Sequence, residues 1–301
     1  MICGIGNTDD SHQGFAGKRA LAPRHILVMM PPFLLAAIIA AGTVNRPVQN
    51  MYSAPTEDSD VVSQAVYGSN VKIEKEARNW VEVRTADDYK GWMPAGALVR
   101  NGKPYAATGR VAMVSSLFSH LYREASVTRH APVVTVPFET KVEIMAETNA
   151  RWLQVRLADD RPAYIQKGDL TFDLTNISID QMLDLSKKFI GLPYTWGGTS
   201  SFGFDCSGFT QMLCRRRGLV MPRDAGPQAG WSGAAAIEKK DLQKGDLLFF
   251  GPSAAKITHT GMYLGNGEFI HATTNEQPKV QISKLADPYW TRLLVATRRP
   301  K

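Results

Sequence analysis

Between Val44 and Leu170 the sequence repeats itself, and the repeat limits what the chain can become. Asn79-Trp80-Val81-Glu82-Val83-Arg84 returns as Ala150-Arg151-Trp152-Leu153-Gln154-Val155-Arg156. Asp87-Asp88 returns as Asp159-Asp160, Gly91-Trp92-Met93 as Ala163-Tyr164-Ile165, and Gly96 and Leu98 as Gly168 and Leu170. A period of about 72 residues means that one supersecondary unit is built twice. In each copy short alternating apolar and polar runs are split by polar turns, as in Val71-Lys72-Ile73, Trp80 to Arg84 and Trp92-Met93. That is strand periodicity, and it predicts a small β-barrel or sandwich. Each copy has about 60 residues, short for a lone core and viable when packed on a neighbour. The expected spans are 44–101 and 108–172. The second copy is degenerate, with Tyr164 in place of tryptophan and an insertion around His120–Pro132.

Ahead of the repeat, Lys18, Arg19, Arg24 and His25 precede an apolar run from Ile26 to Ala41, and small residues follow at Ala40, Ala41 and Gly42. This is the layout of a secretory signal peptide, so residues 1–43 are read as a signal peptide or N-terminal extension. The run is interrupted by Pro31 and Pro32 and is short for a membrane span, so no stable membrane insertion is expected. The pattern favours export to the periplasm or cell envelope, with cytoplasmic recycling as the alternative. The net charge of +7 suits an anionic neighbour: nucleic acid, lipid or a carboxylate-rich polymer. The basic residues are scattered, with no stripe interleaved with aromatics, so no nucleic-acid partner is expected. Three cysteines without paired spacing give neither a disulfide framework nor a zinc ribbon.

Asp173 to Ile177 reads as a linker, and 173–301 as a further domain. Ser178 and Gln181 have capping-box spacing, opening a helix whose expected buried stripe is Ile179, Met182, Leu183, Leu185, Phe189 and Ile190. After a loop with Gly197, Gly198 and Gly203, a second helix begins at Cys206. Asp205 is a good N-cap; Phe209, Met212 and Leu213 form one apolar face; Arg215, Arg216 and Arg217 suit the last turn, and Gly218 the stop. From Asp246 the signal is strand: Leu247 to Phe250, Thr258 to Leu264, and Phe269 to Ala272, with Gly265-Asn266-Gly267 as a hairpin turn. Phe249 and Phe250 are expected in the core. Helices followed by an antiparallel sheet make an α+β domain.

Cys206 falls at the positive end of its helix, a position that favours thiolate. The alternative is a small buried cysteine that only packs, the reading given to Cys214. A thiolate nucleophile needs a base and an orienting partner. Of six histidines, His12 and His25 lie in the leader, and His120 and His130 in the variable part of the second copy. His259 and His271 remain. Counting back from the turn, Gly261 faces His271 and His259 faces Thr273, so the two imidazoles share one face at about 5–8 Å between Cβ atoms. One ring can then hold the other, leaving a nitrogen of His259 for Cys206. A Cys-His-His metal site is the rival reading, short of a fourth ligand and of close cysteine pairing.

Tyr194-Thr195-Trp196-Gly197-Gly198, Asp205-Cys206-Ser207-Gly208-Phe209, Leu242 to Phe250, His259 to Gly267 and Phe269-Ile270-His271-Ala272 together resemble the NlpC/P60 family of cell-wall cysteine peptidases. The repeat resembles bacterial SH3-like domains. The resemblance implies an α+β, papain-like catalytic domain preceded by two small all-β SH3-like barrels. It implies a monomer without cofactor or metal that cuts peptidoglycan stem peptides between γ-linked D-glutamate and a diamino acid. It assigns Cys206 as nucleophile, His259 as base and His271 as orienting residue, with Tyr194, Asp205 and Ser207 toward the substrate. Backbone N–H groups at the start of the helix, that of Cys206 included, would stabilise the oxyanion, aided by Tyr194. Thr260 stands where the family usually has valine, and Ser200 and Ser201 where it often has proline. Asp224, following Arg223, is either a turn or cap aspartate or a carboxylate that pairs with a free α-ammonium. The second reading resembles the SH3-bearing subgroup that requires a free L-Ala–γ-D-Glu N-terminus, making the enzyme a dipeptidyl peptidase. Tyr89 is then either an ordinary loop aromatic or a residue reaching the cleft from the first SH3-like copy. An endo-acting hydrolase with the SH3-like pair as a wall anchor, and a catalytically silent binding protein, are the competing functions.

Overall fold

The computed structural model describes residues 41–100 and 102–301. The signal-peptide expectation lies outside the described residues except for its last positions. Ala41–Val44 is a strand, with Gly42 paired to Val71 and Thr43 to Asn70, so the first sheet starts slightly ahead of the expected boundary. Among the described residues no helix is long and apolar enough to cross a membrane.

The repeat is structural. The first seven-stranded sheet runs Val61–Val66, Val48–Tyr52, Lys90–Pro94, Trp80–Arg84, Asn70–Ala77, Ala41–Val44, Leu98–Val99. The second runs Val134–Pro137, Phe118–Tyr122, Pro162–Gln166, Trp152–Arg156, Lys141–Glu147, Val111–Val114, Leu170–Thr171, which is the same order. The second copy is degenerate in side chains and intact in topology. Period-two alternation buries Val81 and Val83 in one core and Leu153 and Val155 in the other, each with 0% exposure. Even the irregularities recur. A bulge lies between Ile73 and Lys75 and another between Ile144 and Ala146. Asp88 and Asp160 both have positive φ, 66° and 68°, which aspartate tolerates in a turn. The two sheets dock through tyrosines: Tyr67 accepts the Ala158 N–H at 2.8 Å, and Tyr105 donates to the Arg156 carbonyl at 2.7 Å.

Beyond the repeat, helix α1 (Ile179–Lys187) carries the expected capping box. Its buried residues include Met182 and Leu183, with Phe189 just beyond its end; Ile179 and Ile190 are instead exposed, because the helix stops three residues short of Ile190 and the chain turns away. Helix α2 (Cys206–Arg216) lays Phe209, Met212 and Leu213 on Phe249, Met262 and Ile270 of a six-stranded sheet. That sheet runs Ala234–Ala236, Leu294–Pro300, Leu247–Phe250, His259–Gly265, Glu268–Thr273, Lys279–Lys284. Its other face packs Leu248, Phe250, Phe269 and Leu285 on Trp290 of the short helix α4 (Pro288–Leu293). Successive residues Phe249 and Phe250 serve opposite faces, as a strand requires. The hairpin turn is tighter than expected. Asn266 and Gly267, with φ of 53° and 77°, form a two-residue turn, and the extra residue is absorbed in a bulge between Tyr263 and Gly265.

Candidate active site

Cys206 is the first residue of α2, held there by its N-cap. The Asp205 carboxylate accepts the Gly208 N–H at 2.7 Å, and the Asp205 N–H donates to the Gly198 carbonyl at 3.1 Å. Gly208 is obligatory here: a Cβ on it would lie 2.1 Å from the Gly198 oxygen. The Cys206 sulfur accepts the backbone N–H groups of Ser207 and of Thr260, the neighbour of His259. The cysteine sulfur is therefore in contact with the residue next to His259.

The expected resting thiolate is not what this environment favours. Burial, followed by the charge of Asp205, pushes the Cys206 thiol up to about 11, against the lowering by the Thr260 N–H and Arg223. A helix end contributes about 0.3–1 kcal/mol at an exposed site, and desolvation outweighs it. Packing against Phe250 and Trp290 desolvates His259 and brings it down to about 3. His271, fully buried, also lies well below the ordinary range, through burial and then the neighbouring His259. Burial thus favours the thiol and the neutral imidazoles over their charged forms.

The two imidazoles share one face, as the strand count predicts, because Met262 pairs with Ile270 despite the altered turn. His259 Nε2 and His271 Nδ1 are 2.7 Å apart, and His271 Nε2 is 3.0 Å from Ser283 Oγ. Trp290 packs on both rings, with centroids 5.2 and 4.8 Å away; His271 is fully buried and His259 keeps partial exposure. Tyr194 is half-buried beside the cysteine; burial and then the Cys206 charge raise its hydroxyl above the usual range.

The other expected site residues separate into two groups. Asp205 does not face outward. Its Oδ1 accepts from Ser207, Gly208 and Arg223 Nη1 and its Oδ2 from Arg223 Nη2, at 2.6–3.2 Å, so most of its hydrogen-bonding capacity is spent within the protein. Ser207 receives Arg223 at 2.9 Å and donates to Asp205 at 3.2 Å, keeping one lone pair for an outside donor. Asp224 is at the N-cap position of helix α3 (Ala225–Ala229), yet its side chain makes no capping bond. It accepts the Tyr89 hydroxyl at 3.1 Å instead. Burial, foremost, raises Asp224 above the usual carboxylate range, and burial with the Asp224 charge pushes Tyr89 up to about 12. A cavity of about 350 Å³ opens beside them, lined by Asp87, Asp88, Tyr89, Val220, Asp224 and Trp231 among others.

Several residues of the site gave no signal in the sequence. Arg223, 2% exposed, ties Asp205 and Ser207 to Ser63 of the first sheet, its Nε reaching Ser63 Oγ at 3.0 Å. Gln228, fully buried, donates to the carbonyls of Ser207 (3.0 Å) and Pro222 (2.9 Å), bracing the Asp224 segment against the first turn of α2. Asp87 accepts the Gln211 amide at 2.9 Å. A buried arginine is visible in sequence only as an arginine; its partners are far along the chain.

Known proteins are similar to this chain. Residues 191–299 match the NlpC/P60 family, and residues 51–98 match the bacterial dipeptidyl-peptidase SH3 domain. A gamma-D-glutamyl-L-lysine dipeptidyl-peptidase of Bacillus cereus is 32% identical over 260 residues, spanning 81% of this chain and 76% of that protein. The chain belongs to the NlpC/P60 family. The namesake peptidase of Bacillus subtilis is 30% identical, over 80% of this chain and 82% of its own. The crystal structure of an NlpC/P60 family protein from Bacillus cereus superposes with a TM-score of 0.75 at 28% identity, covering 86% of this chain and 99% of that one. This NlpC/P60 chain is thus a peptidase of the α+β family fold with an N-terminal SH3-like region.

Proposed function

We propose that this NlpC/P60 peptidase hydrolyses the γ-D-glutamyl–diamino acid bond of peptidoglycan stem peptides and releases L-Ala-γ-D-Glu from free N-termini. The observation that carries the proposal is the Tyr89–Asp224 pair at 3.1 Å, a carboxylate freed from capping duty and held by a loop of the first SH3-like copy. A carboxylate in a partly desolvated site pairs strongly with an ammonium group. The remaining lone pair of Ser207 supplies a second acceptor. The 30–32% identical relatives named for gamma-D-glutamyl-L-lysine cleavage support the same bond and lysine as one acceptable diamino acid.

The chemistry follows from neutral partners. As Cys206 Sγ attacks the γ-carbonyl carbon, its proton passes to His259 Nδ1, so charge separates only in the transition state. The carbonyl oxygen becomes an oxyanion. Of the first N–H groups of α2, that of Gly208 is taken by the Asp205 carboxylate and that of Phe209 by the Asp205 carbonyl. The Cys206 N–H, which no helix turn can satisfy, is the natural oxyanion donor, with the Tyr194 hydroxyl beside it. Collapse expels the amine of the diamino acid, which takes the proton back from His259. Water, deprotonated by His259, then attacks the thioester; the dipeptide acid leaves and the thiol is restored.

The layout from Lys18 to Gly42 supports export, so a wall-related site of action in the periplasm or envelope is part of the proposal. N-terminal sequencing of the mature protein tests it; an intact leader in the cytosolic fraction would count against it. For the reaction, L-Ala-γ-D-Glu-L-Lys is offered with a free and with an acetylated N-terminus. Cleavage of the free peptide alone is expected, and equal cleavage of both would sink the exo reading.

A further inference from the structure

His259, His271 and Ser283 stand on three successive antiparallel strands, on one face, joined by contacts of 2.7 and 3.0 Å. The strand registers produce this. Met262 faces Ile270 across the first pair, and Phe269 faces Ser283 across the second, so each member is diagonal to the next. We propose that Ser283 is a positioning residue of the hydrolytic site: it fixes the tautomer of His271 and, through it, the free nitrogen of His259. The inference rests on the reading of Cys206 and His259 as nucleophile and base.

A neutral imidazole has one N–H and one lone pair, so two imidazoles in series have only two consistent arrangements. In one, His271 Nε2–H donates to Ser283 Oγ, His259 Nε2–H donates to His271 Nδ1, and His259 Nδ1 is left with its lone pair. In the other every donor is reversed, and His259 Nδ1 carries a proton that it cannot exchange for the one on sulfur. Only the first lets His259 take the Cys206 proton. The ring nitrogen of His271 that decides between them is the one facing Ser283. His271 is fully buried, and Ser283 Oγ is the partner of its Nε2. A serine hydroxyl can accept that N–H and send its own proton elsewhere, since it is half-buried with access to water. When His259 becomes imidazolium, the same chain delivers an acceptor to its Nε2–H. No proton leaves the chain; the hydroxyl acts by accepting.

The test uses the full-length protein as wild type, Ser283→Ala and Ser283→Thr. Imidazole 15N spectra without substrate are expected to show His271 protonated at Nε2 in wild type and Ser283→Thr, and a mixture with the Nδ1–H form in Ser283→Ala. On L-Ala-γ-D-Glu-L-Lys, Ser283→Ala should lower kcat about tenfold with KM unchanged, the effect of losing one hydrogen bond in the transition state. Threonine, which restores the hydroxyl, should restore kcat. Wild-type His271 found protonated at Nδ1, or Ser283→Ala with unchanged kcat, overturns the proposal. So does Ser283→Thr as slow as Ser283→Ala with a raised KM, which marks a packing defect. If the triad reading itself fails, Cys206→Ala retains turnover, while the spectra still report whether Ser283 sets the tautomer.

Discussion

The two β-sheets have one strand order and do different things. In the first, the Asp-Asp turn ends in Tyr89, which donates to Asp224, and Asp87 accepts from Gln211 of the cysteine helix. In the second, the matching turn ends in Arg161, which pairs with its own Asp159 at 2.7 Å near solvent. The first sheet also gives Ser63 to Arg223 and the Val61 carbonyl to the Trp196 indole at 2.9 Å. The second braces the catalytic region at other points: Ser201 donates to the Leu117 carbonyl, Phe138 meets Phe189 edge-to-face at 5.3 Å, and Glu139 meets Arg215 at 2.7 Å. Topology alone does not make a sheet part of an active site; the side chains at one turn and on one edge strand do.

Substitutions can break this contrast. The largest effect is expected at Arg223. Arg223→Ala leaves the buried Asp205 charge unpaired and cuts the tie to Ser63, costing about 3–5 kcal/mol in urea unfolding; a loss near zero would mean the first sheet is not fastened there. Next come the matched turns. Tyr89→Phe should raise KM for the free tripeptide about tenfold or more, the worth of a hydrogen bond to a charged group, with Arg161→Ala kinetically silent. Equal effects of the two would erase the distinction between the sheets.

Acidity gives a third test. Asp224 binds an ammonium only when ionised, and its pKa is raised, mainly by burial. Affinity for the free N-terminus should therefore fall, as pH drops, at a higher pH than an ordinary carboxylate would set. His259, at about 3, stays neutral through that range. The acid limb of kcat/KM thus belongs to Asp224, and Asp224→Asn should weaken binding and remove that limb. A limb unchanged in the variant would reassign it. The smallest effect is expected in the second SH3-like copy, where Glu139→Ala removes a partly exposed ion pair worth about 0.5 kcal/mol and leaves kinetics untouched.

What was legible in the sequence was local or periodic. The repeat announced itself through Trp80 and Trp152, and its turns through paired aspartates. The histidine pair survived an error in the hairpin turn because the bulge beside Gly265 restored the register at Met262. The helix position of Cys206 is written in the sequence, and the burial that opposes it by raising the thiol is not. The partner of Asp205, Arg223, lies eighteen residues away, and no local pattern announces that pairing. Trp290 and Ser283 went unnoticed because their partners are set by strand pairings that no single segment encodes.

The link from Ser63 through Arg223 to Asp205 has a practical meaning for anyone recombining such enzymes. The natural place to cut the chain, near Asp173, separates two folding patterns but runs through one working site. A transplant that keeps only the cysteine-bearing half and exchanges the front end for another binding module would inherit a nucleophile with a side wall missing.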